Sequence, residues 1–166
     1  EKDSLALEKY RAVLEHLCSL PRDPQGYGMI HQDAHAGNFF VDENDNLTLF
    51  DFDDCCCGHF IYDIAMVLFY ASSVERDPEA FTGRFMPIFL SGYREENTLD
   101  PAWLEELPWF MKLREIDLYA AIQVSTEDGD YSDHPWSRMF MDGRRERIEQ
   151  DIPCIRYDWS SLAQYL

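Results

Sequence analysis

The chain is 166 residues long with 46% apolar and 14% aromatic content, enough to bury one core, so a single domain is expected. Fourteen basic residues against 32 acidic ones leave a formal charge of −18, which would repel nucleic acid and anionic lipid while attracting cationic ligands. No apolar run approaches membrane-spanning length and no signal-peptide pattern opens the chain, so a cytoplasmic protein without nucleic-acid or membrane partners is expected.

Leu5, Leu7, Tyr10, Val13, Leu14 and Leu17 recur at near-helical spacing, with Asp3 or Ser4 as N-cap and Pro21 and Pro24 closing the helix. Met29 and Ile30 lead into the segment His31-Gln32-Asp33-Ala34-His35-Ala36-Gly37-Asn38. The β-prone runs Phe39-Phe40-Val41 and Leu47-Thr48-Leu49-Phe50 flank five residues, Asp42 to Asn46, rich in Asx side chains that favour turns. Folding this hairpin about residues 44 and 45 sets Asn38 opposite Asp51, two oxygen donors at its open end. Mg²⁺ favours such a provision, with phosphates and water completing its octahedron. Asp33, in the loop before the first strand, is then close enough to orient a hydroxyl toward the same phosphate.

From Ile61 to Ser72 the residues are almost wholly apolar, which predicts a buried helix. Phe81, Phe85, Ile88 and Phe89 mark an amphipathic helix ending near Gly92. Asp100 and Pro101 are a helix start carrying Trp103 and Leu104. Pro108 begins a longer helix with Trp109, Phe110, Leu113, Ile116, Tyr119 and Ile122. A polar loop spans residues 125–135. A last helix runs from Trp136 to about Ile148, interrupted only at Gly143, with Arg144, Arg145 and Arg147 at its far end.

The pattern H-x-D-x-H-x-G-N at residues 31–38, the hairpin, D-x-D at Asp51 and Asp53, and Tyr62-Asp63-Ile64-Ala65 occur in an order that resembles the aminoglycoside phosphotransferase and choline kinase-like family. Its members look like distant relatives of the eukaryotic protein kinases. The likeness is nearest to bacterial members with a second His in the loop, and its motifs run from about Gly28 to Tyr70. The resemblance implies the C-terminal lobe of a protein kinase-like fold, mainly α with a small β-hairpin, with the N-terminal lobe absent. Residues 1–75 would hold the catalytic loop, hairpin and core helices, and 76–166 a helical substrate-side subdomain.

The same resemblance implies an ATP-dependent phosphotransferase acting on a small-molecule hydroxyl of aminoglycoside, choline or homoserine type. Asp33 would be the catalytic base or hydroxyl-positioning residue, with His31 bracing the catalytic loop through hydrogen bonds. Asn38 and Asp51 would hold Mg²⁺ against the ATP phosphates, and Asp53 would be a metal ligand or a carboxylate behind one. Asp63 would be structural, accepting loop or helix N–H groups.

Plainer readings stand beside these. An Asp in a turn after a strand commonly satisfies backbone donors, His35 suits a loop-stabilising hydrogen bond, and Asp54 suits a solvated acid. Three consecutive cysteines, Cys55, Cys56 and Cys57, cannot easily wrap a zinc ion, and with Cys18 and Cys154 they make an odd total. Reduced thiols in a packed segment are expected. The aromatic stripe of the long helix, with Arg114, Glu115 and Asp117, suits the lining of a substrate cleft, but a buried core with its charges facing solvent explains the same pattern and is the reading preferred. A complete kinase of this type also carries a phosphate-covering loop and a strand lysine. Lys2, Lys9 and Lys112 all fall in helical patterns, and Gly26 and Gly28 make no phosphate loop. The partner expected is therefore an N-terminal lobe of the same polypeptide. Alternatives are a non-catalytic kinase-like binding or scaffold module, or a Ser/Thr protein kinase of the same family. A metal-dependent phosphohydrolase fits Asn38 and the hairpin less well.

Overall fold

The computed structural model describes residues 3–126 and 134–166, in the order α1 (Ser4–Ser19), β1 (Tyr27–Ile30), β2 (Phe39–Val41), β3 (Leu47–Leu49), β4 (Cys56–His59), α2 (Phe60–Ser72), α3 (Pro78–Glu96), a 3-10 helix (Pro101–Glu106), α4 (Leu107–Ser125), α5 (Pro135–Met141), α6 (Arg144–Glu149) and a second 3-10 helix (Trp159–Tyr165). Most of the polar loop expected at 125–135 lies outside the described residues. The chain divides into two compact units. One comprises Pro21–Met111 with Ile155–Leu166, the other Glu1–Leu20 with Lys112–Cys154.

In the first unit, α2 is the core. Ile61, Ile64, Ala65, Met66 and Leu68 are buried, so the helix is apolar on nearly every side. Two strands that the sequence reading did not place, β1 and β4, pair antiparallel with Gly28 opposite Gly58, and both contact α2. A Cβ on Gly28 would come within 2.8 Å of the Phe60 ring. That glycine therefore serves the packing of the ribbon on α2 rather than a phosphate. The hairpin β2–β3 forms a separate two-stranded sheet.

The Asp77 carboxylate caps α3 by accepting the Ala80 N–H at 2.9 Å. The helix passes through Gly92 and ends at Glu96, four residues beyond the expected stop, since one interior glycine costs only about 1 kcal/mol against alanine. Its buried face is Thr82, Met86 and Leu90, not the expected aromatic one. Phe81, Phe85 and Phe89 instead stack at 5.1 and 5.6 Å, half exposed, and Ile88 is 78% exposed. Asp100 accepts the Ala102 N–H at 2.9 Å, but the segment it starts is a 3-10 helix, with Trp103 and Leu104 buried. It packs on the C-terminal 3-10 helix, where Trp159 and Leu162 are buried.

His59 ends β4, donating from Nε2 to the Pro21 carbonyl at 3.1 Å and lying beside the Tyr27, Trp103 and Phe110 rings. Burial pushes its pKa below the ordinary histidine value, against the opposing pull of the Pro21 carbonyl.

In the second unit, α1 buries Ala6, Val13 and Leu17 and leaves Leu5 and Leu7 exposed, so its inward stripe is rotated from the expected one. Asp3 stands at the N-cap without capping. Its Oδ1 accepts the Tyr119 hydroxyl at 3.1 Å, and burial together with this carboxylate pushes the Tyr119 pKa up to about 12. The expected C-terminal helix is two, α5 and α6, because Gly143 takes the left-handed conformation (φ 61°) between them. Glu115 does not face solvent. It is 0% exposed and accepts Lys112 Nζ at 2.7 Å and Arg144 Nη1 at 2.6 Å. Lys112 also donates to the Ile152 carbonyl at 2.8 Å, and Arg144 Nε to the Phe140 carbonyl at 2.9 Å. Among the described residues no helix is long and apolar enough to cross a membrane.

Removing one partner from such a cluster leaves charge uncompensated. Glu115→Leu is expected to destabilise the protein by about 3–5 kcal/mol in denaturant titration. His59 makes a separate prediction. Its folded pKa lies below its unfolded one, so the unfolded state binds more protons as pH falls below 6.5, and stability falls with it. Thermal unfolding across pH 7.5–5.5 should show a shallower loss in His59→Gln than in the parent protein.

Candidate active site

The loop between β1 and β2 is fastened by a carboxylate from α2. Asp63, in the first turn of that helix, accepts the His31 N–H on Oδ2 and the Gln32 N–H on Oδ1, each at 2.8 Å. These amides have just left the β1 ladder, and the carboxylate replaces their lost partners with charge-assisted bonds. Gln32 has φ 70°, a conformation that non-glycine residues seldom adopt. The Asp63 bond holds it there, together with Cys56 Sγ donating to Gln32 Oε1 at 2.8 Å.

His31 is 5% exposed and joins the loop to the hairpin. Its Nδ1 accepts the Asp33 N–H at 3.3 Å, which puts the ring proton on Nε2, and that nitrogen donates to the Phe50 carbonyl at 2.9 Å. The ring also packs 4.7 Å from that of Phe52. Asn38, 7% exposed, donates from Nδ2 to the Asp33 carbonyl at 2.9 Å and to Asp33 Oδ2 at 3.1 Å. Its own N–H goes to the His35 carbonyl at 2.8 Å, and its carbonyl accepts the Phe50 N–H at 3.0 Å. With its amide nitrogen committed to Asp33, the oxygen is what Asn38 can offer a ligand.

Asp51 is not opposite Asn38. Phe39 pairs with Leu49, so Phe50 faces Asn38 and Asp51 follows one residue later. The turn explains the shift. Asp42 N–H reaches the Asn46 carbonyl at 3.0 Å and Asp45 is left-handed (φ 62°), which makes a three-residue loop of odd length. Asp42 Oδ1 also accepts the Asn44 and Asn46 amides, each at 2.8 Å. Asp51 is left-handed too (φ 64°) and exposed. Asp53 and Asp54 are exposed inside a turn closed by Cys55 N–H to the Phe52 carbonyl at 3.0 Å.

His31, Asp33, Asn38 and Asp63 thus form one hydrogen-bonded cluster, with Asp51 and Asp53 as exposed carboxylates farther along the chain. Among the described residues no three His, Cys, Asp or Glu side chains converge on a metal-binding point. Cys55, Cys56 and Cys57 are free and exposed rather than packed, because β4 pairs only with β1. The contributions of Gln32 and Cys56 were not foreseen, and nothing local in the sequence announces them.

A model of the phosphotransferase enzyme family matches residues 1–107. The chain belongs to that family. It is 34% identical to the amicoumacin kinase of Bacillus subtilis (strain 168) over 98% of its length and 52% of that protein's. Its fold matches an amicoumacin kinase solved in complex with AMP-PNP, Ca²⁺ and Ami, with TM-score 0.88 and 31% identity, covering 98% of this chain and 49% of the other. A microcompartment-associated aminopropanol kinase shares the fold at TM-score 0.65 and 23% identity, over 91% of this chain and 47% of its own. The kinase-like fold implied by the motifs is therefore present, mainly helical with small antiparallel sheets. This member of the phosphotransferase family spans about half the length of the relatives it matches.

The Asp63 clamp predicts a local effect. Asp63→Ala should speed hydrogen exchange at the His31 and Gln32 amides and cost about 1.5–3 kcal/mol per charge-assisted bond lost. Amide exchange measured residue by residue checks it.

Proposed function

We propose that this chain carries the acceptor-side half of an ATP-dependent phosphotransferase that phosphorylates a hydroxyl of a small molecule. The observation that carries this reading is the Asp33 carboxylate, held by the Asn38 amide at 3.1 Å in a loop that lies within the residues matching the family. Asp33 accepts the acceptor's hydroxyl hydrogen and turns its oxygen toward the γ-phosphorus. It takes the proton as the new O–P bond forms and the bond to the departing ADP breaks. In a loose transition state such placement matters more than basicity.

Asn38 and Asp51, with Asp53 as a further carboxylate, are the residues that would hold Mg²⁺. Few hard oxygens suit an ion that keeps water and phosphate among its ligands. Bound there, the ion would neutralise charge on the nucleotide phosphates. His31 keeps the loop tied to the end of β3, next to Asp51 in the chain. In this reading residues 1–75 carry the chemistry and residues 76–166 the acceptor side. A second lobe, corresponding to the rest of the relatives' length, brings the phosphate-covering loop and its lysine. The 34% identical relative makes amicoumacin the first acceptor to test, and a charge of −18 suits an amine-bearing one.

Transfer from ATP by the full-length protein should fall about 10²- to 10⁴-fold in Asp33→Ala. Undiminished transfer would overturn the proposal. Calorimetry should show that Asp51→Ala loses Mg²⁺-dependent nucleotide binding.

A further inference from the structure

His35 has no part in the scheme above, yet its ring is fixed on three sides. Nδ1 accepts the Gly37 N–H at 2.9 Å, the ring lies 4.7 Å from that of Tyr70 on α2, and Nε2 lies 3.3 Å from Asp33 Oδ2. A neutral imidazole carries one N–H, and with Nδ1 accepting, that hydrogen sits on Nε2, the nitrogen beside the carboxylate. Asp33 Oδ2 therefore accepts the Asn38 Nδ2 hydrogen bond at 3.1 Å and has the N–H-bearing Nε2 edge of His35 beside it as an electrostatic contact.

The glycine two residues on is part of the same arrangement. A Cβ on Gly37 would come 2.7 Å from His35 Cε1 and 3.0 Å from Nδ1. Only glycine lets its N–H approach the ring this closely, so the H-A-G sequence builds the tautomer as well as the turn. A loop needing only bracing has Asp63 and His31 for that. The His35 ring adds a contact to the carboxylate itself.

We propose that His35 is a positioning residue for phosphoryl transfer. Its Nε2–H fixes the rotation of the Asp33 carboxylate before the acceptor arrives. The last torsion of an Asp side chain is broad, so the groups set against the carboxylate decide how far it swings. The positive end of the Nε2–H dipole beside Oδ2 narrows that swing, and with it the direction in which the acceptor hydroxyl is held. This rests on the proposed role of Asp33.

The test uses the full-length protein with ¹⁵N-labelled histidine and ¹³C-labelled aspartate. Long-range nitrogen–proton correlation should show His35 protonated at Nε2, and the Asp33 carboxyl resonance should move in His35→Leu. A ring protonated at Nδ1 instead, or an unmoved Asp33 resonance, overturns the proposal without any turnover measurement. With ATP and amicoumacin, His35→Leu should lower kcat about 10- to 100-fold, as misplacement of a reacting group does, with the KM for both substrates little changed. His35→Gln, which offers an N–H near the Nε2 position, should recover most of that loss. Gly37→Ala, which displaces the ring without removing it, should reproduce part of it. Transfer that needs Asp33 but is indifferent to His35→Leu refutes this inference alone, whereas transfer indifferent to Asp33→Ala refutes the reading beneath it.

Discussion

Two hydrogen bonds from one carboxylate set the frame on which the candidate site depends. Asp63 accepts the amides of His31 and Gln32 where β1 ends, and it does so from the first turn of the most deeply buried helix of its unit. The loop is thereby referred to a rigid element rather than to its own turns. Gln32 can then adopt a left-handed backbone, His31 can reach the Phe50 carbonyl, and Asn38 can fold back on Asp33. These contacts share one short segment of backbone, so they hold one another in place.

The other unit shows a different use of buried charge. Glu115 is enclosed with Lys112 and Arg144, and carbonyls of Ile152 and Phe140 take further donors of the two cations. Burial of such a group is costly, and partners with good geometry offset that cost without making the cluster a strong net source of stability. Its effect is on specificity. An apolar residue at 115 would pack in many ways, whereas a carboxylate facing an ammonium and a guanidinium has few acceptable arrangements.

Much of the helical scaffold was legible because burial leaves a periodic trace. The apolar run of α2 and the Asp-Pro start at residue 100 announced their elements. What the sequence could not convey was choice among near-equal local states. Asp100 and Pro101 start a 3-10 helix as readily as an α-helix, and Gly92 lies inside α3 because the small cost of one interior glycine does not stop a helix already anchored by Thr82, Met86 and Leu90. The one-residue error in the hairpin came from Asp45, whose left-handed backbone makes the loop odd. The β1–β4 ribbon was hidden by its composition, since Cys56-Cys57-Gly58 drew a chemical reading that masked a structural one. At the candidate site, order and spacing singled out Asp33, Asn38 and His31. The grip of Asp63 on two particular amides and the contact of Cys56 with Gln32 depend on residues distant in sequence, which no local pattern encodes.

The three exposed thiols at the start of β4 and just before it have a practical side. Along a strand successive side chains alternate in direction, so Cys56 and Cys57 point to opposite faces. Cys56 already touches Gln32, and a label attached there would press on the loop it was meant to observe. Cys57 has no such contact with that residue and lies one position away. With the other exposed thiols, Cys18, Cys55 and Cys56, changed to serine, a dye on Cys57 would sit on the face of the ribbon turned away from Gln32. The cluster is then best regarded as a ready-made attachment point for an optical reporter of substrate arrival.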